Sequence, residues 1–130
     1  MNTRSLRAIA AATVLAATFT VTATPAMAAS GDKIRRGDCT GSTNWRLKVG
    51  PESGRLETEG QIDSRHNGQT WNWRLWHNGS ISYRGTKTTK APSGSFEVRR
   101  LLVNLKGTDT ITFRARNPRS GEVCRGTVHF

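Results

Sequence analysis

The chain predicts an all-β domain, an antiparallel sandwich or barrel of about seven strands. Three observations predict it. After residue 28 no stretch repeats its apolar residues at the 3.6-residue period of a helix. Apolar and polar residues alternate instead, as strands with one buried face require. Turn-forming clusters such as "PESG", "SRHNGQ", "HNGS" and "NPRSG" separate the alternating segments at short, even intervals.

The first 28 residues stand apart from this pattern. Arg4 and Arg7 make a short basic start, an uncharged apolar run covers about Ala8 to Val21, and Ala26-Met27-Ala28 is a small-x-small triplet. That is the grammar of a secretory signal peptide cleaved after Ala28. The apolar run is short of the ~20 residues of a membrane span, so no transmembrane segment is expected in the mature chain. Residues 29–42 are basic, contain Gly and Asp, and read as an N-terminal arm. Residues 43–130 form one domain, in keeping with a chain of about a hundred residues.

The strands follow in order. Trp45, Leu47 and Val49 alternate with Arg46 and Lys48. Leu56, Thr58, Gly60 and Ile62 alternate with Glu57, Glu59, Gln61 and Asp63. Trp71, Trp73 and Leu75 form the next inward set, and Ile81 and Tyr83 the one after. Phe96 and Val98 open a strand that runs into Leu101-Leu102-Val103; Ile111, Phe113 and Ala115 follow; Cys124, Gly126, Val128 and Phe130 close the chain. The triplet HNG occurs at His66 and again at His77, and both copies read as turns. A three-residue loop, His77-Asn78-Gly79, would pair Leu75 with Ile81 and Trp73 with Tyr83, placing all four on the core face. The two histidines then lie at opposite ends of a strand and cannot share a metal; neither a metal site nor a cofactor is expected.

Cys39 and Cys124 are the only cysteines. In an oxidising compartment two lone cysteines default to a disulfide. Charge is the strongest compositional signal, with 20 Lys+Arg against 9 Asp+Glu. Removing Arg4 and Arg7 with the leader leaves 18 against 9, a net +9. Such a surplus bears on partners and solubility rather than fold.

The segment "DTITFRA", Asp109 to Ala115, resembles the penultimate strand of immunoglobulin domains, with Ile111, Phe113 and Ala115 in the places of the small residue, tyrosine and cysteine. The likeness to an immunoglobulin-like or fibronectin-type-III-like domain covers about residues 43–130. It implies a β-sandwich, with Trp71 or Trp73 as the buried strand tryptophan and with the first and last strands side by side, where Cys39 and Cys124 would meet. The chain also resembles small, basic, signal-bearing proteins of actinomycete bacteria, which supports secretion and implies no activity.

In that strand order the segments 70–76, 80–86, 109–117 and 122–130 form one sheet. Its outer face would show Asn72, Arg74, Trp76, Ser82, Arg84, Thr112, Arg114, Arg116, Arg125 and His129, with no acid among them. The candidate polyanion-binding residues are Arg74, Trp76, Arg84, Arg114, Arg116 and Arg125, because guanidinium binds phosphate or sulfate in a bidentate fork and a tryptophan can stack on a sugar or base. On the other sheet Arg46, Lys48 and Arg99 stand against Glu57, Glu59, Asp63 and Glu97. The expected function is a secreted or cell-wall-associated, non-catalytic, monomeric module. Its partner would be an anionic polymer: a cell-wall polymer, a nucleic acid or a sulfated glycan. The alternatives are a protein-interaction module, such as an inhibitor or a subunit of a surface complex, and a small secreted hydrolase. "GDCTG" around Cys39 has the outline of a nucleophile motif but lacks the strand–turn–helix such a motif needs.

Overall fold

The structure is a computed structural model that describes residues 31–130; the leader, its cleavage point and Ala29 lie outside the described residues. The strands are β1 (Lys33–Asp38), β2 (Asn44–Glu52), β3 (Arg55–Asp63), β4 (Thr70–His77), β5 (Ser80–Thr88), β6 (Ser95–Val103), β7 (Thr110–Arg116) and β8 (Val123–His129). They form two antiparallel four-stranded sheets, ordered β1-β2-β3-β6 and β5-β4-β7-β8. The second sheet therefore unites the four segments expected to share it.

The alternation translates directly into a two-layer core. Leu47, Val49, Leu56, Ile62, Phe96, Val98 and Leu102 from the first sheet meet Trp71, Trp73, Leu75, Ile111, Phe113, Ala115, Cys124 and Val128 from the second. Both Trp71 and Trp73 are buried, and each brings the large apolar area that dominates a small core.

Two expectations need correction. The described residues form eight strands rather than about seven, because Lys33–Asp38 within the arm pairs with β2. Its sequence, KIRRGD, has no apolar alternation and its residues are mostly exposed. What holds it is partnership: the ladder to β2, and Lys33 Nζ donating to the His129 carbonyl at 2.9 Å.

The β4–β5 hairpin also differs from the predicted register. Asn78 and Gly79 have φ of 48° and 83°, the two positive values of a type I′ turn, whose twist suits the flanking strands. The loop is thus two residues long, with His77 opposite Ser80 and Trp76 opposite Ile81. A bulge follows, after which Leu75 faces Tyr83 and Trp73 faces Gly85. Ile81 and Tyr83 remain 50% and 40% exposed. Burial was the wrong criterion here: β5 is an edge strand exposed along its whole length, so the turn, not the core, sets its register. His77 is accordingly the last residue of β4 and not a loop residue.

The sandwich has one closed side and one open side. At the closed side β1 and β2 lie against β8, and Cys39 is bonded to Cys124 with Cα atoms 4.3 Å apart. Trp45 fills this seam over two glycines. A Cβ on Gly126 would stand 2.2 Å from the Trp45 ring and one on Gly37 2.7 Å from it, so both positions require the missing side chain. At the open side β5 and β6 are unpaired edges. Each turns a cation inward: the register sets Lys87 opposite Trp71, and the Arg100 guanidinium lies 5.1 Å from the Trp73 ring and 5.4 Å from the Tyr83 ring. Inward-pointing charge is a common protection of exposed edges against pairing with other chains.

Candidate functional site: an arginine row across one sheet

The outer face of the second sheet is built by register. Arg84 on β5 stands opposite Arg74 on β4, Arg74 opposite Arg114 on β7, and Arg114 opposite Arg125 on β8. Four of the predicted arginines thus form one line running across the strands. With neighbouring strands ~4.8 Å apart, the line is roughly 14 Å long at the backbone. Arg114 is half-buried and the other three are exposed. Arg116 lies outside the line, one outward position along β7, opposite Asn72 and Val123.

The rows on either side carry hydroxyl, amide and apolar groups, with Arg116 the one cation among them. On one side Thr86 Oγ1 donates to Asn72 Oδ1 at 3.1 Å. On the other, Thr112 and Thr127 join through their hydroxyls at 3.0 Å, and half-buried Trp76 stands opposite Ile81. His129 lies at the margin, its Nδ1 3.1 Å from Thr110 Oγ1. Ser82, expected on this face, falls in the bulge.

Acidic residues are segregated away from the row. Of the 9 Asp and Glu, only Asp109 and Glu122 belong to the second sheet, each just before a strand. Asp109 is 1% exposed and accepts His77 Nε2 at 2.5 Å. Glu122 turns to the closed side, where its Oε1 accepts the Thr43 N–H at 3.2 Å. Among the described residues, no ion pair involves Arg74, Arg84, Arg114, Arg116 or Arg125.

The first sheet is the opposite case. Arg46 lies 3.7 Å from Glu59, Lys48 lies 3.4 Å from Asp32 and 3.8 Å from Glu59, and Arg99 pairs with Glu57. The hydrogen bond from Arg99 holds the Glu57 carboxyl below the usual carboxylate range. Burial, reinforced by the hydrogen bond with Glu57, pushes Glu59 above it. Arg46, Lys48 and Arg99 thus have carboxylate partners, whereas among the described residues the arginines on the outer face of the second sheet have none.

Sequence reasoning assembled the arginines and Trp76 but missed three features. Ile81 joins Trp76 on the outer face, which only the turn geometry reveals. Arg100 faces inward; the alternation Phe96, Val98, Arg100, Leu102 carried that signal, but the following apolar run obscured it. The His77–Asp109 pair depends on a contact between residues 32 positions apart, for which the sequence has no local mark. That pair and the hydrogen bonds between Asn78 and Thr110, 2.8 Å in each direction, fasten the hairpin tip to β7. Cys39 is in the disulfide, so no thiol remains there to act as a nucleophile.

Among the described residues no helix is long and apolar enough to cross a membrane. No protein-family model, curated protein or solved structure matches this chain.

Proposed function

We propose that the domain is a secreted, non-catalytic module that binds an anionic polymer or the cell envelope through the outer face of the second sheet. The observation that carries this reading is the unpaired arginine row. Like charges directly opposite one another on a sheet are destabilising, and carboxylates placed among them would relieve the repulsion. The first sheet has that arrangement and the second does not. A face that accepts the repulsion suits an anion supplied from outside, and guanidinium suits phosphate and sulfate through paired N–H donors. Secretion is supported by the leader sequence and is compatible with the disulfide.

The test is a pair of double charge reversals. Arg74→Glu with Arg114→Glu is expected to abolish binding to heparin and polyphosphate columns at moderate salt while leaving the circular dichroism spectrum unchanged. Arg46→Glu with Lys48→Glu alters net charge equally and is expected to retain most binding. Equal loss from both would show that bulk charge alone acts. Secretion is tested by the N-terminus of exported material, expected at Ala29; an intact Met1 on a membrane-bound product would refute it.

One observation favours a second reading, a protein-interaction module. Tyr83, Leu101, Val103 and Leu105 are exposed at the open side, and surface apolar clusters often mark contacts with other proteins. Leu101→Lys with Val103→Lys separates the readings: polyanion affinity is expected to survive it, whereas its loss would place the binding surface at the open seam.

A further inference from the structure

The proposed face has a direction, and the direction narrows the ligand. The following rests on the polyanion reading above. Along any one strand of the second sheet, outward side chains recur every second residue, about 6.6–6.8 Å apart. Only β7 places two arginines in succession, Arg114 and Arg116; β4, β5 and β8 each contribute one to the face, at Arg74, Arg84 and Arg125. Across the strands, by contrast, the four arginines follow one another at every step. Positive charge is therefore a ridge perpendicular to the strands, bordered by the Thr86–Asn72 and Thr112–Thr127 hydroxyl and amide pairs.

The same face is poor in stacking surface. Proteins that bind single-stranded nucleic acid use a series of aromatic side chains, one for each of several successive bases. Among the described residues Trp76 is the one aromatic side chain on the outer face, half-buried and flanking the row beside Arg74, so the face offers one stacking surface and not a series of them. The face is also an extended sheet surface, with no element projecting as a helix does into the major groove of a duplex. The border hydroxyls and amide are suited to hydrogen bonds with polyol or sugar.

We propose that the row binds one strand of a polymer of repeating phosphate or sulfate esters that lacks aromatic bases. The strand lies across β5, β4, β7 and β8 and engages Arg84, Arg74, Arg114 and Arg125 in turn. Trp76 and the Thr112–Thr127 pair flank its backbone.

The experiment measures affinity by fluorescence or calorimetry on the mature, disulfide-bonded domain across salt concentrations. The probes are long-chain polyphosphate, tripolyphosphate, a heparin oligosaccharide and a mixed-sequence single-stranded oligonucleotide matched in charge to the long polyphosphate. A long chain that engages the row should show a log–log salt slope of about −3, from ~0.7 per contact on a single strand and four contacts. Tripolyphosphate is too short for the row and should bind at least about tenfold more weakly than the long chain, which gains from linked contacts. The oligonucleotide should bind no tighter than polyphosphate. Arg125→Gln, at the row's end, should reduce the slope by about 0.7, and Arg116→Gln, outside the row, should leave it unchanged. Spectra of both variants establish that they fold.

The outcomes separate cleanly. Tighter binding of polyphosphate than heparin favours a phosphate-bearing polymer, and the reverse a sulfated one; either supports the proposal. An oligonucleotide tenfold tighter than both overturns it in favour of a nucleic-acid site. Equal effects of Arg116→Gln and Arg125→Gln overturn the direction. Failure to bind any of the probes overturns the polyanion reading itself.

Discussion

The arginine row implies that function and stability oppose each other at one position. Arg74 is the central test, since it faces Arg84 on one side and Arg114 on the other. Each like-charged cross-strand pair costs on the order of 0.2–1 kcal/mol, and no acid among the described residues pairs with Arg74. Arg74→Gln removes both repulsions and keeps most of the aliphatic stem. At ~10 mM ionic strength the Debye length is about 30 Å and the repulsion is nearly unscreened. Urea unfolding should then show the variant more stable by roughly 0.5–1.5 kcal/mol. At 1 M salt the Debye length is ~3 Å and the gain should shrink towards zero. The same substitution should weaken polyanion binding. Arg46→Gln is the counterpart on the first sheet: it removes an ion pair with Glu59 at 3.7 Å and should be neutral or slightly destabilising at low salt. If Arg74→Gln destabilises the fold at low salt, or if its effect does not depend on salt, the guanidinium contributes packing rather than unrelieved charge, and the row loses its meaning as a site.

Other consequences are more local. Replacing Cys39 and Cys124 together by serine opens a loop of 85 residues and should cost about 4–5 kcal/mol in the chain-entropy model, read from urea midpoints; denatured, unreduced wild-type protein should contain no alkylatable thiol. Gly126→Val drives a side chain into the Trp45 ring, 2.2 Å from the new Cβ, and should destabilise by roughly 1–3 kcal/mol through overpacking, whereas Gly68→Ala meets no neighbouring atom and should cost only the strain of its left-handed backbone, about 1 kcal/mol. The Glu57 carboxyl is held low by Arg99, so its contribution is present above the unfolded carboxylate value and is lost as pH falls through the lower folded one. Glu59 is pushed up by burial, so its contribution is full below the unfolded value and lost as pH rises through the higher folded one. At pH 7 Glu57→Gln should therefore destabilise by less than ~1 kcal/mol, Glu59→Gln should not destabilise, and both differences from wild type should close between neutral pH and pH 3.

The limits of the sequence reading follow from what enforces each contact. Where one face of a strand is buried, the two-residue period leaves one choice, because a shift by a single residue would expose every apolar side chain. Leu56 to Ile62 and Ile111 to Ala115 were legible for that reason, and so was the outward arginine on each neighbouring strand. Nothing comparable constrains an edge strand. On β5 the type I′ turn at Asn78-Gly79 fixed the start and the bulge corrected the frame, so Tyr83 moved from Trp73 to Leu75 and Ile81 moved out beside Trp76. β1 was invisible as a strand because a ladder on one side and a disulfide at its end replace apolar burial.

The arginine row belongs to a third category. That Arg74, Arg84, Arg114 and Arg125 share a face follows from alternation alone. That they share one line depends on three separate registers. One of these, β4 with β5, came out two residues away from prediction, one from the shorter turn and one from the bulge. Under the predicted pairing Arg84 would have stood opposite Asn72, the row would have stopped at three arginines, and the charge would have been a scattered field. The bulge between Leu75 and Trp76 therefore does two things at once. It lets a tight primed turn close the hairpin, and it advances β5 by the one residue that carries Arg84 into line with Arg74. Bulges commonly re-aim side chains near functional surfaces, and the extra residue in this one is Ser82, left unpaired between Ile81 opposite Trp76 and Tyr83 opposite Leu75. Deleting Ser82 takes out that extra residue and should leave Arg84 opposite Arg74, so binding that needs the row should survive it; loss of polyanion binding in a folded deletion variant would show that the row is not what binds.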